Sequence, residues 1–149
     1  VRFLAESVIR TTPERLFAFH ELPDALSRLM PPSEHARVIQ LPRSLRPGER
    51  AIVAIRIAPF VWIETESVHT AYDPPWLFED QQVRGAFRSW HHRHVITADP
   101  NGARLRDEID FDPPFGPLGR IAAPLIILPR LRKIFAYRHE VTRAWCEGG

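Results

Sequence analysis

The chain has 149 residues, 44% of them apolar and 26% charged, with one cysteine and 15 prolines. That length fits one domain spanning residues 1–149, able to bury a core without a disulfide framework. Net charge is +2, and Lys133 is the one lysine among 20 basic residues, so no Lys/Arg block marks a nucleic-acid arm and no nucleic-acid partner is expected. The longest apolar run, Ile121–Leu128, falls short of a membrane span and contains Pro124. With no basic-then-apolar leader in view, a soluble, cytoplasmic protein with Cys146 as an inert thiol is expected.

Phe3–Arg10 is the first expected strand. Thr12-Pro13-Glu14 combines a hydroxyl cap, a proline at the first helical position and an acid near the positive helix end, which predicts a short helix carrying Leu16, Phe17 and Phe19. Pro23-Asp24 opens a second, with Ala25, Leu26, Leu29 and Met30 on its buried side and Pro31-Pro32 as its stop. From residue 35 to 113, turn signals such as Pro47-Gly48, Pro59, Asp73-Pro74-Pro75, Gly85 and Asp99-Pro100-Asn101-Gly102 separate β-favouring segments. Connections that short predict an antiparallel meander of six strands, seven with the first.

The last third is helical in pattern. Pro129 suits a helix start, with Pro117–Leu128 as an earlier piece kinked or broken at Pro124 and Pro129. On a helical wheel Leu131, Ile134, Phe135, Val141 and Trp145 share one side, and Arg132, His139, Glu140 and Arg143 the other. A curved sheet with an apolar concave face needs a cover, and this helix is the element long enough to supply it. The expected class is therefore α+β: a curved seven-stranded antiparallel sheet wrapped around a long C-terminal helix, with two short helices after strand 1.

Arg138 falls near the centre of the apolar stripe. It is either half of a buried ion pair or a cation facing a cavity, and in both roles an inward carboxylate is its expected neighbour. Alternation in the last strand sets Leu105, Asp107, Ile109 and Phe111 against Arg106, Glu108, Asp110 and Asp112, placing Asp107 on the core side. The same period groups Trp90, His92 and His94; Phe78, Asp80 and Gln82; and Trp62, Glu64, Glu66, Val68 and Tyr72. Glu66, Asp80, Gln82, His92, His94, Asp107 and Arg138 thus emerge as inward polar groups, with Trp62, Phe78, Trp90, Phe111 and Phe135 as apolar contacts around them.

Two histidines on one strand face can share an ion with Asp107 as third ligand, but the spacing is common and no cysteine supports it, so no metal and no other cofactor is expected. A histidine–aspartate hydrogen bond in a half-polar pocket is the preferred reading. His92 and Asp107 are also the acid–base candidates for a dehydration or ring closure, although no nucleophile motif, phosphate loop or dinucleotide fingerprint narrows that choice.

Phe78-x-Asp80-x-Gln82, Gly85-Ala86-Phe87, Trp90-x-His92-x-His94, Leu105-x-Asp107-x-Ile109-x-Phe111 and Pro114-Phe115-Gly116-Pro117-Leu118-Gly119, with Ile134-Phe135-x-Tyr137-Arg138 near the end, resemble the SRPBCC superfamily. The match is nearest to its bacterial cyclase/dehydrase-like, ligand-binding branch, with Ala86 where that branch usually has proline. The resemblance implies the helix-grip fold shared with START lipid-transfer domains, and a hydrophobic, partly polar ligand such as a lipid, quinone or polyketide-like molecule held between helix and sheet. It carries over no catalytic residue, because one fold hosts carriers, enzymes and regulators. Phe115–Arg132 is expected to cap the cavity mouth with its apolar residues buried; the alternative is transient contact with an anionic membrane during ligand delivery.

Overall fold

A computed structural model describes residues 1–148. Strand β1 (Arg2–Ile9) leads into α1 (Pro13–His20) and α2 (Ala25–Arg28), followed by a short 3-10 turn at Pro32–Glu34. Strands β2 (Arg37–Gln40), β3 (Arg50–Ala58), β4 (Val61–Asp73), β5 (Leu77–Arg84), β6 (Ser89–Asp99) and β7 (Gly102–Asp112) come next, and α3 (Gly116–Glu147) closes the chain. The Thr12 side chain accepts from the Arg15 amide at 3.1 Å, with Pro13 in the first turn, as the cap sequence predicts. Asp24 precedes α2 but makes no side-chain cap; its carboxylate instead accepts from Arg28 one turn on.

The strands form one antiparallel sheet in the order β1-β7-β6-β5-β4-β3-β2, the meander expected except that β1 closes onto β7. Helix α3 lies across it and packs against β1 and α1. Two apolar clusters hold the layers together. Ile9, Leu16, Phe17, Phe19, Phe78, Ile96 and Leu105 gather around the C-terminal end of α3 with Cys146. Phe3, Ile109, Phe111, Ala123, Leu131 and Phe135 gather nearer its middle. Cys146 is buried, and burial pushes its thiol up to about 11, consistent with an inert group.

Three features differ from the sequence expectations. Helix α3 is continuous over 32 residues, so Pro124 and Pro129 lie inside it and Pro129 does not begin a separate helix. His139, assigned to the polar side, is buried together with Leu131, Phe135, Thr142 and Cys146. These positions recur every three to four residues, and the true buried line is rotated toward His139 because Thr142 and Cys146 add little hydrophobic signal to a wheel. The cap expectation also fails in part: Phe115, Leu118, Ile121 and Leu125 are 84%, 74%, 72% and 80% exposed. Ala123 is the fully buried member of that half of the helix, while Ile126 and Ile127 border a cavity.

Candidate functional site

Between α3, the α1–α2 segment and the concave face of the sheet lies a cavity of about 420 Å³. That is within the size range of small-molecule sites. Its apolar wall comes from Leu26 on α2, Leu29 and Met30 just after it, Val53 and Ile55 on β3, Ile63 on β4, and Leu131 and Ile134 on α3. Polar groups on β4, β5, β6 and α3, among them His69, Asp80, His92, His94 and Arg138, complete the lining.

Of the residues singled out in the sequence, Phe78, Asp80, Gln82, Trp90, His92, His94, Phe135 and Arg138 line the cavity. Asp107 does not; it sits behind the wall, 4% exposed, on the inward face of β7 as its alternation predicts. Phe111 also lies behind, in the core beside Phe87 and Trp90. Gln82 borders the cavity but is occupied by the β5–β6 turn: its amide donates to the Phe87 carbonyl at 2.7 Å and its oxygen accepts from the Phe87 N–H. A Cβ at Gly85 would press on that oxygen, so a larger residue there would displace the Gln82 amide from its bonds to Phe87.

Trp62 and Glu66 are corrections. In β4 the cavity-facing set is Ile63, Thr65, Ser67 and His69. Trp62 lies on the other face, with the Arg37 guanidinium stacked 4.2 Å from its ring centroid, and Glu66 is held there by Arg50 and Arg84 on the neighbouring strands. Tyr72 nevertheless packs inward against Phe17, because the register shifts between His69 and Ala71. A single alternating phase therefore cannot describe this strand.

The second correction concerns Asp107 and Arg138. The Asp107 carboxylate is taken by three histidines: Nε2 of His92 at 2.7 Å and Nδ1 of His94 at 3.1 Å on one oxygen, and Nε2 of His139 at 2.6 Å on the other. Arg138 forms no ion pair with it. The Arg138 guanidinium lies 5.1 Å from the Phe135 ring centroid, and its buried Nε has no hydrogen-bond partner among the described residues. Burial pulls the Arg138 pKa below its ordinary value, opposed by the fields of Asp107 and Asp80.

The network extends in both directions. Nε2 of His94 lies 3.0 Å from Asp80, so this ring has a carboxylate at each nitrogen. On the far side, the Ser7 hydroxyl is 2.7 Å from Nδ1 of His139, joining α3 to β1. Burial favours raised carboxyl pKa values, yet bonds from His139, His92 and His94 hold Asp107 well below the usual range, and the bond from His94 helps bring Asp80 to about 2. Burial would lower His94 as well, but Asp107 and Asp80 outweigh it and hold its pKa above the ordinary value. His94 is thus the ring of this wall whose protonated form its two carboxylate partners favour. His92 and His69 are lowered chiefly by burial, and His20 falls to about 4 for the same reason, with the field of His94 adding to it. These three rings are neutral at pH 7. Because Nε2–H of His92 donates to Asp107, its Nδ1 carries a free lone pair.

The sequence reading missed His20, His69 and His139. His20 was legible only as the last residue of a short helix, His69 lies on the strand whose face was misjudged, and His139 was one wheel position from the residue chosen. The buried Nδ1 of His69 has no partner among the described residues.

No protein-family model matches the chain, and no curated protein matches it either. Solved structures do. Protein CV1439 from Chromobacterium violaceum superposes with a TM-score of 0.73 at 14% identity, covering 99% of this chain and 98% of that one. Ara h 8.0201 gives 0.70 at 13% identity over 100% and 99%. The di-domain ARO/CYC StfQ from the steffimycin biosynthetic pathway gives 0.75 at 13% identity, covering 99% of this chain and 51% of StfQ. Together with the meander and its gripped helix, these likenesses define the class by fold: the chain has the helix-grip α+β architecture that these structures share.

Proposed function

We propose that this protein binds one small hydrophobic, partly polar molecule of the lipid, quinone or polyketide type in the cavity between α3 and the sheet. The observation that carries this reading is a mostly apolar cavity into which the linked polar groups Asp80, His94 and His92 open, with Arg138 also in the lining. Arg138 and the exposed faces of His92, His94 and Asp80 are the groups that would orient a carbonyl, phenol or acid. The buried thiol of Cys146 suits the reducing cytoplasm expected from the sequence. Extraction of the purified protein, and titration with an environment-sensitive hydrophobic dye, test the proposal. A co-purifying apolar compound or saturable dye binding is expected; extracts without one, together with no dye binding, would overturn it.

A carrier that also touches a membrane is the second reading, favoured by the exposed apolar residues Phe115, at the N-cap of α3, and Leu118, Ile121 and Leu125 on its first turns. The helix continues from that row directly to Ile126, Ile127 and Arg130 at the cavity border. No helix among the described residues is long and apolar enough to cross a membrane, so contact would be interfacial. Flotation with vesicles tests it. In a cyclase or dehydratase reading, His92 would meet the substrate and Asp107 would act through it.

A further inference from the structure

We propose that Asp80, His92 and His94 form a binding site for one divalent transition-metal ion of the zinc, cobalt or iron(II) type, opening into the cavity. The site rests on the same cavity as the ligand-binding reading but does not require it.

Four observations point there. Ligand atoms offered by the three residues lie within 4.8 Å of one another, the compactness a single ion needs. The residues come from adjacent strands in fixed register, with Asp80 opposite His92, and the two imidazoles stack with centroids 3.7 Å apart, so both rings are held side by side. All three border the cavity, which leaves coordination positions on that side for water or a ligand oxygen. Two imidazoles and one carboxylate with open positions suit borderline transition metals better than calcium or magnesium, which prefer oxygen-only sets.

The fourth observation is the arrangement behind these residues. Asp107, which does not line the cavity, engages Nε2 of His92 and Nδ1 of His94. It leaves Nδ1 of His92 and Nε2 of His94 as the ligand atoms, the second of which already points at Asp80. Metal-binding histidines characteristically give their other N–H to a carboxylate in this way, fixing the tautomer and the ring orientation. Asp107 is itself steadied through its second oxygen by His139, and His139 by Ser7. On binding, the ion replaces the proton between His94 and Asp80, which leaves to solvent. The buried wall then holds two carboxylates against a divalent ion and the guanidinium of Arg138.

The test is cobalt(II) titration of the protein stripped with a chelator, read by visible ligand-field absorption and calorimetry, with zinc as competitor. One equivalent is expected to bind with intense bands, reversed by zinc. Asp80→Asn and His92→Gln are expected to abolish that binding, and Asp107→Asn to weaken it by about 10–100-fold. The Asp80 change lies at the half-buried cavity wall, and circular dichroism checks that each variant is folded. If Asp107→Asn fails to fold, Ser7→Ala, two bonds further back, is expected to weaken binding by a smaller factor. Absence of saturable cobalt binding in the folded wild-type protein, or binding that survives both Asp80→Asn and His92→Gln, would overturn the proposal. Because the probe is the metal alone, either result leaves dye binding in the apolar part of the cavity as a separate measurement.

Discussion

His20 shows how a single buried ring ties this fold to pH. It ends α1 with Nδ1–H donating to the Leu16 carbonyl at 3.0 Å, edge-on to Phe19 and close to Phe78 and His94. Its pKa falls from 6.5 to about 4 because burial and the neighbouring His94 both oppose a charge there. A group whose folded pKa is depressed contributes stability that is fully present above the unfolded value. That contribution is lost as pH falls, since only the unfolded chain accepts the proton. His69 and His92 act in the same direction, whereas the raised pKa of His94 works oppositely, adding stability below pH 6.5 that is lost as pH rises through its folded value. Asp80 and Asp107 add a further loss below their ordinary value of 3.8. The urea midpoint should therefore fall as pH drops from 6.5 toward 4. His20→Gln, which keeps a donor for Leu16, should flatten that fall by on the order of 3 kcal/mol. An unchanged slope would mean that His20 is not held neutral in the folded state. At this scale the sequence was informative where alternation was unbroken: Asp107 stands among Leu105, Ile109 and Phe111, and its inward position followed. Its partner was not legible, because Arg138 and His139 differ by one step of about 100° on a wheel, and the residues that fix the true phase are small or polar.

At the scale of elements, β4 and α3 carry most of what sequence alone could not resolve. In β4 the outward set contains Trp62 and Val68 and so imitates a core face. The cross-strand pairs of Glu66 with Arg50 and Arg84 settle the phase, but they become visible only once the register is known. In α3, Pro124 and Pro129 each remove a backbone donor at a typical cost of about 3 kcal/mol. The helix survives because Ala123, Leu131 and Phe135 anchor both sides of the interruption to the sheet. The outward row on the same helix has no such anchor. Phe115, Leu118, Ile121 and Leu125 follow one face at spacings of three and four, with Arg132 and Lys133 exposed further along. Arg120 and Arg130 are already committed to Asp112 and Glu34. The protein should float with vesicles rich in phosphatidylglycerol and less with neutral ones. Leu118→Ser/Ile121→Ser/Leu125→Ser should lose that association while remaining folded, since none of the three side chains packs in the core. Equal flotation by the triple variant would exclude this row as the contact.

Across the whole molecule, the order of strands, the two short helices and the terminal helix were legible because each is set by local signals: turn residues, a capped helix start and a change of apolar period. The cavity was not, because it results from what the layers leave unfilled. The two apolar clusters close the space around α3 at its middle and its C-terminal end, while small side chains on β4, Thr65 and Ser67, keep the facing wall recessed. A void of this kind costs packing energy that the ligand-free protein forgoes, and filling it should separate stability from binding. Ser67→Leu projects an apolar side chain into the cavity from the middle of β4, where burial of a leucine contributes about 1.5–3 kcal/mol. The variant should raise the urea midpoint and at the same time abolish saturable binding of a hydrophobic dye. A rise with dye affinity unchanged would place the dye elsewhere on the molecule. A fall in midpoint would mean that neighbouring side chains already occupy the space. The opposite movement of the two quantities is what a pocket kept open for an apolar guest requires, since a packing defect without a binding role would improve in stability and lose nothing.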